Sequence, residues 1–406
     1  MAQSVVIIGA GITGSLLAWR LAKRGCTVTI LEGQHVGAGS SSRTAAGIRQ
    51  QFSTPATVRG MRFSVDFYRN FPKLVGGTET PIVQNGYLFL YDREESWGAA
   101  QRRVHMQQAA GLREVQALPV EALHAQFPWV DPLTVLGGSY CPTDGFLHPA
   151  VVYTEAIAAA KRLGATLVQQ APVQGVRKQG ERIQAVSTPK GDFAGDVFVD
   201  ATNAWSPRLG RVLQATELPI MALKRYLWLL ERGPSMSAES LLSLPLTIAP
   251  SGAYCRPENA DRLLMGWAHD APAEPDFSYD DQDRIDPAFS HRTGTDTAAF
   301  ETWATLAEVV PAFAEFPGIV ATTSGYYGST PDHNPFLDYD PLVPNLLRLS
   351  GFSGHGAMFG PFTALVGEAL VAAGASIPAV EVLGERTPLA PFAIGRDFSG
   401  AENMVI

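Results

Sequence analysis

Apolar residues change their period twice within the first 31 positions. Residues 4–8 form an unbroken run rich in β-branched side chains, as in a strand buried on both faces of a parallel sheet. Past Gly9, Gly11 and Gly14, the residues Leu16, Leu17, Trp19 and Leu21 recur at helical spacing up to Gly25, and 27–31 reads as a second strand. The pattern therefore predicts a strand, a tight turn, a helix and a parallel strand. A second helical stripe fills 55–71 behind the start signal Ser53-Thr54-Pro55.

From residue 82 the pattern changes character. Residues 82–91 alternate like strands around Asn85-Gly86, which predicts a hairpin turn. Helices are expected over 94–110 and 120–127, followed by Pro/Gly punctuation at 144–149. Residues 151–163 then read as a helix, and 166–199 as short strands that run into Asp200-Ala201-Thr202-Asn203-Ala204-Trp205-Ser206. A second strand-rich stretch covers 221–231, 254–256 and 263–267, with an acidic loop over 276–286 and a helix over 297–309 behind it. Strands at 320–326 and 346–349 and a helix with Pro361 in its first turn complete the pattern. These shifts divide the chain into two discontinuous units, 1–80 with 147–217 and 318–406, and 81–146 with 218–317.

Composition narrows the function more than the fold. A chain of 406 residues supports two cores, and its net charge of −8, with no Lys/Arg cluster, disfavours a nucleic-acid surface. The first apolar run is broken by glycines and followed by Arg20, Lys23 and Arg24, which fits neither a signal peptide nor a membrane span. A cytoplasmic location with no membrane partner is expected. Cys26, Cys141 and Cys255 are too scattered for a disulfide framework, and no Cys/His spacing suits a metal.

Chemistry enters at the first turn. Gly9 permits the sharp bend, Gly11 lets backbone approach a pyrophosphate, and Gly14 packs helix on strand. Ile12 and Thr13 open a helix whose free amides face anionic oxygens. Glu32, at the end of the second strand, can accept hydrogen bonds from ribose hydroxyls and would repel a 2′-phosphate, which disfavours NADP. A glycine- and serine-rich loop over 37–52 follows, with Ser41, Ser42, Ala46 and Gly47 small enough for close backbone approach and Arg43 and Arg49 as its cations.

Taken in order, the strand–helix–strand unit, the Ser-Ser-Arg loop, the 200–206 motif, Thr330-Pro331-Asp332, and Gly351-Phe352-Ser353-Gly354-His355-Gly356 resemble the D-amino-acid-oxidase-like flavoenzyme superfamily. The likeness extends to Leu389-Ala390-Pro391-Phe392-Ala393-Ile394-Gly395-Arg396-Asp397-Phe398 and is nearest to sarcosine oxidase, glycine oxidase and the sarcosine/dimethylglycine dehydrogenase-like flavoproteins. It implies a mixed α/β fold, with a discontinuous Rossmann-like FAD-binding domain and a smaller antiparallel-sheet substrate domain. The implied reaction is oxidation of the C–N bond of an amine or amino acid, by hydride transfer to flavin N5 and hydrolysis of the imine. The electron acceptor is oxygen or another species.

The resemblance also distributes roles. FAD contacts fall on Gly9, Gly11, Ile12, Thr13, Gly14, Glu32, Ser41, Ser42, Arg43, Ala46, Gly47, Val173, Ala201, Asn203, Trp205, Gly325, Gly354, His355, Gly356, Ala357 and Met358. The last five would present amides and a helix dipole to the anionic side of reduced flavin. Arg49 falls where the family meets the substrate carboxylate, a natural guanidinium partner. Tyr254 and Arg256, two apart on a strand, would share a face of the substrate domain. His269 and His333 are lesser candidates, and Asp332 is expected to order its loop rather than transfer protons.

Departures from the family pattern carry information too. Gly325 stands where sarcosine oxidase has its flavin-tethering cysteine, so FAD is expected to bind non-covalently. Met358 and Leu264 replace two lysines, which points to a bulkier or more apolar amine. Asn203 replaces a usual glycine. Two other readings remain open: a flavoprotein turned assembly factor, and a plain NAD-dependent dehydrogenase. A serine-hydrolase elbow is disfavoured, because His355 stands where Gly-x-Ser-x-Gly needs its last glycine.

Overall fold

The computed structural model describes residues 3–269, 273–274 and 277–404, so Asp276 of the acidic loop lies outside the described residues. Ser4–Ile8 pairs in parallel with both Thr27–Leu31 and Val197–Asp200, and its inner positions are almost wholly buried. The sheet extends outward to Thr166–Val168 on one side, and to Leu346–Ser350 and the antiparallel edge strand Phe336–Tyr339 on the other. Helices Ile12–Lys23, Pro55–Arg69, Pro149–Arg162 and Gly356–Ala373 contribute their apolar faces to one core with this sheet. The three-stranded meander 175–194 shares a smaller core with its other face.

A second sheet of eight strands runs from Gly318–Ser329 through Met221–Glu231, Arg262–Gly266, Tyr254–Asn259, Leu246–Ile248, Tyr87–Tyr91 and Gly137–Cys141 to Gln116–Pro119. Its two faces separate with the two-residue period of a strand. Leu88, Leu90, Tyr226, Trp228, Cys255, Leu263 and Met265 pack in a core with helix Ala298–Val309, while Tyr87, Phe89, Leu227, Tyr254 and Leu264 form an apolar cluster on the opposite side. That second face looks onto the site.

Three expectations are corrected. Asn85-Gly86 does not close a hairpin: Ile82–Val83 pairs with Gly145–Leu147, whereas Tyr87–Tyr91 pairs with Gly137–Cys141. Gly86 sits at φ 92° and donates its amide to the Asp144 carbonyl, so the turn passes the chain from one sheet to another. Gly318–Ser329 pairs along its length with Met221–Glu231 and so belongs to the eight-stranded sheet rather than with the 318–406 unit. Pro361 lies inside helix Gly356–Ala373 instead of in its first turn. Proline lacks the amide that would bond the Ala357 carbonyl, and the Tyr68 hydroxyl donates to that oxygen at 2.7 Å instead. By length and composition this helix could cross a membrane, yet 67% of it is buried within the fold.

The glycine turn behaves as its sequence implies. Gly9 adopts φ +104°, and a Cβ on Gly14 would lie 2.0 Å from the Gly9 carbonyl oxygen. Backbone cannot yield as a flexible side chain can, so Gly14→Ala is expected to push the first helix off its strand. The expected result is a thermal midpoint at least several degrees lower and a purified protein with much less than one FAD per chain, read from the 450 nm to 280 nm absorbance ratio.

Candidate functional site

The C-terminal ends of the parallel strands converge on a cleft of about 840 Å³. Gly9, Gly11, Ile12, Thr13, Glu32, Ser41, Ala201, Asn203, Trp205, Gly354, Gly356 and Ala357 line it, so most of the expected cofactor contacts come together. Two helices begin at this cleft, Ile12–Lys23 and Gly356–Ala373, and neither has a side-chain cap from its N-cap residue. Their partial positive charges converge on one elongated space. Glu32 is 5% exposed; its carboxylate accepts from the Ala10 amide at 2.8 Å and the Gln34 amide at 2.9 Å, and burial pushes its pKa up. Val173 lines an adjoining cavity that shares Gly9, Thr202, Trp205 and Tyr279 with the cleft.

Asn203 finds its explanation here. It adopts φ 50°, the left-handed region that glycine enters freely and asparagine tolerates. Its side-chain oxygen accepts from the amides of Gly351 and Phe352, both at 3.2 Å, and so ties the 200–206 turn to the 351–356 turn. Asparagine thus keeps the backbone geometry of a glycine and adds a clamp between two walls.

A second cavity of about 440 Å³ meets the first at Thr44, Tyr327 and Gly354. Ala46, Gly47, Arg49, Tyr254, His355 and Met358 line it, together with Tyr87, Leu246 and Ser353. Arg49 has no solvent exposure. Its guanidinium lies 4.1 Å from the Phe52 ring centroid, donates to the backbone carbonyls of Gln51 and Met404, and stands 3.2 Å from His355 Nε2, while its Nε is buried without a partner. Burial first, and the charge of Arg49 second, hold His355 well below the usual imidazole range, so its ring is neutral. With Nε2 accepting from Arg49, the proton rests on Nδ1, which is buried and has no partner. The Tyr254 hydroxyl donates to Tyr327, and burial raises both phenols.

Several expected residues stand elsewhere. Gly14 packs on Gly9, beneath the cleft. Ser42 donates to the Gly39 carbonyl at 3.4 Å, outside both cavities. Arg43 forms an ion pair with Asp283 at 2.5 Å, and Gly325 packs against the Arg43 side chain, so these two join the loop to the eight-stranded sheet. Arg256 shares a strand with Tyr254 but not its cavity: it donates to the Ala45 carbonyl at 2.6 Å, pairs with Glu258 at 2.7 Å, and covers the Phe146 ring. Its role is to brace the 44–47 loop from behind. His269 lies outside both cavities, with its ring 4.5 Å from that of Trp267 and its Nε2 3.2 Å from the Thr302 hydroxyl. His333 is likewise outside them, and Asp332 holds Arg396 through both oxygens at 2.7 and 2.8 Å, as a loop-ordering residue does. Tyr87, Leu246, Tyr279 and Tyr327 were not anticipated. Alternation along strand 87–91 marked Tyr87 as facing one side, but not which side.

Asp144 underlies Arg49 from the other direction. Fully buried, it accepts from the Gln50 amide and from both the Gln50 and Gln51 side chains at 2.8–3.2 Å, and so fixes the carbonyl of Gln51 that holds Arg49. Burial, opposed by these hydrogen bonds, pushes its carboxyl up to about 7. The folded chain keeps this proton to about pH 7, whereas an unfolded Asp releases it near 4. Between those values the unfolded state binds fewer protons, so this contribution is complete at low pH and disappears as pH rises to 7. Thermal midpoints measured from pH 4 to 8 should therefore decline less steeply in Asp144→Asn than in the parent.

The geometry fits FAD. The indole Nε1 of Trp205, in the cleft wall, is buried without a partner. The cleft combines two helix N-termini with a carboxylate, and a second cavity opens off one end. Comparison with known proteins agrees. A family model described as FAD dependent oxidoreductase matches residues 4–369. FAD-dependent oxidoreductase domain-containing protein 1 of Bos taurus is 29% identical over 403 residues, spanning 88% of this chain and 79% of that protein. Glycine oxidase of Pseudomonas aeruginosa is 25% identical over 367 residues, spanning 89% and 92%. The crystal structure of L-proline dehydrogenase from P. horikoshii superposes with a TM-score of 0.81 at 27% identity, covering 95% of this chain and 96% of that one.

Proposed function

The chain belongs to the FAD dependent oxidoreductase family, and from that premise we propose that it oxidises the C–N bond of an amino acid or a carboxylate-bearing secondary amine with an apolar body. The observation that carries this reading is Arg49. A fully buried guanidinium, with an unused Nε and no carboxylate ion-paired to it, lines a cavity that opens onto the cofactor cleft. A cation left in that state suits an anionic group delivered by the substrate. The relatives named glycine oxidase and L-proline dehydrogenase support the same class.

Arg49 would bind and orient the carboxylate, and Tyr87, Leu246, Tyr254 and Met358 would exclude water from the apolar part. FAD supplies the acceptor for a hydride from the carbon that bears nitrogen, and water then hydrolyses the imine. Because His355 is neutral, it adds no second positive charge beside Arg49 and presents an Nδ1 proton for hydrogen bonding. No covalent protein–flavin bond is needed: Gly325 cannot form one.

Anaerobic titration of the purified yellow protein with a panel of α-amino acids and N-methyl or cyclic secondary amines tests this. Bleaching of the flavin band by at least one carboxylate-bearing member, but not by its decarboxylated analogue, is expected. Flavin that no amine reduces would overturn the reading and favour an assembly role.

A further inference from the structure

Segment 402–404 reaches the substrate cavity from the far end of the described chain. Glu402, 1% exposed, accepts from the Ser53 amide at 2.9 and 3.2 Å and from the Met404 amide at 3.0 Å, while its own amide donates to the Asp332 carbonyl at 2.9 Å. The Asn403 amide donates to the Ser53 hydroxyl at 3.1 Å. These bonds deliver Met404 to a defined place. There its carbonyl accepts from the Arg49 guanidinium, and its side chain is buried in one cluster with Tyr87, Leu246 and Tyr254, three walls of the cavity.

We propose that Met404 is a specificity-determining residue: its side chain limits the length of the substrate's apolar part, and its carbonyl holds Arg49 until a substrate carboxylate replaces it. This rests on the reading that Arg49 receives a carboxylate. A carboxylate is the stronger acceptor, since hydrogen bonds to an ionised group are roughly twice as strong as those to a neutral one. It therefore competes for the same N–H and displaces a neutral carbonyl. Tertiary geometry at Glu402 and Asn403 keeps the segment anchored while residue 404 moves. Methionine suits such a position, because an unbranched thioether changes rotamer at little cost.

Dissociation constants for acetate, butyrate and hexanoate, read from perturbation of the flavin absorption of the FAD-bound full chain, test the assignment. Met404→Ala should tighten hexanoate relative to acetate by about tenfold, and Met404→Phe should weaken it by a similar factor. Either variant decides the question if the other does not fold. An unchanged hexanoate-to-acetate ratio, in a parent that responds to acids, overturns the role of Met404 and leaves the Arg49 reading standing. A parent whose flavin responds to no acid overturns the carboxylate reading, and this assignment with it.

Discussion

Arg49→Ala should lower kcat/KM for a carboxylate-bearing substrate by about 10²–10³-fold, the scale of removing one partner from a desolvated charge pair. The side chain has no exposure, so no water can take its place as a counter-charge. Its loss removes the cation and also strands the Gln51 and Met404 carbonyls and His355 Nε2, which now share its donors. The measured loss will therefore exceed the value of the substrate contact alone. Arg49→Lys separates the two: it keeps charge but not the planar fork, so kcat/KM should recover only in part. Activity on a decarboxylated amine should be far less sensitive to either change. Equal losses on both substrates would mean that Arg49 supports the pocket and does not bind the carboxylate.

Arg348→Met should destabilise the fold by about 3–5 kcal/mol, because it leaves two buried carboxylates without their cation. Arg348 pairs with Asp200 at 3.0 Å and Asp340 at 2.9 Å, and all three side chains have zero exposure. Asp200 also accepts from the Thr202 amide, the Thr202 hydroxyl and the Ser206 hydroxyl, so it organises the turn whose Ala201, Asn203 and Trp205 line the cleft. Asp340 accepts from Thr216 at 2.9–3.2 Å. The change should lower the thermal midpoint by about 10 °C and weaken retention of FAD on dilution. Neutralising the stranded acids, in Arg348→Met with Asp200→Asn and Asp340→Asn, should recover part of the loss. A triple variant no more stable than the single one would locate the cost in packing rather than in charge.

Much of this site was legible before the fold because its parts are local. A strand, a sharp turn and a helix N-terminus occupy consecutive residues, and glycine at 9 and 14 is required by a positive φ and by a 2.0 Å approach that nothing larger allows. The 351–356 turn announces itself in the same way. By contrast, Arg256 and His269 looked equivalent to Tyr254 in the sequence. Strand period places Tyr254 and Arg256 on the same side, but Arg256 is long enough to reach the Ala45 carbonyl and Glu258, so it turns away from the cavity.

The sequence by itself determined the elements, their period, the family and the cradle for the cofactor, since each of these follows from neighbours a few residues apart. Only the tertiary structure decided what faces what. It set Asn203 as a clamp across two turns, joined Arg43 to Asp283, buried Arg348 between two acids, and brought Met404 against an arginine 355 positions earlier. Such contacts depend on how sheets and helices stack in space. No periodicity within a segment encodes them.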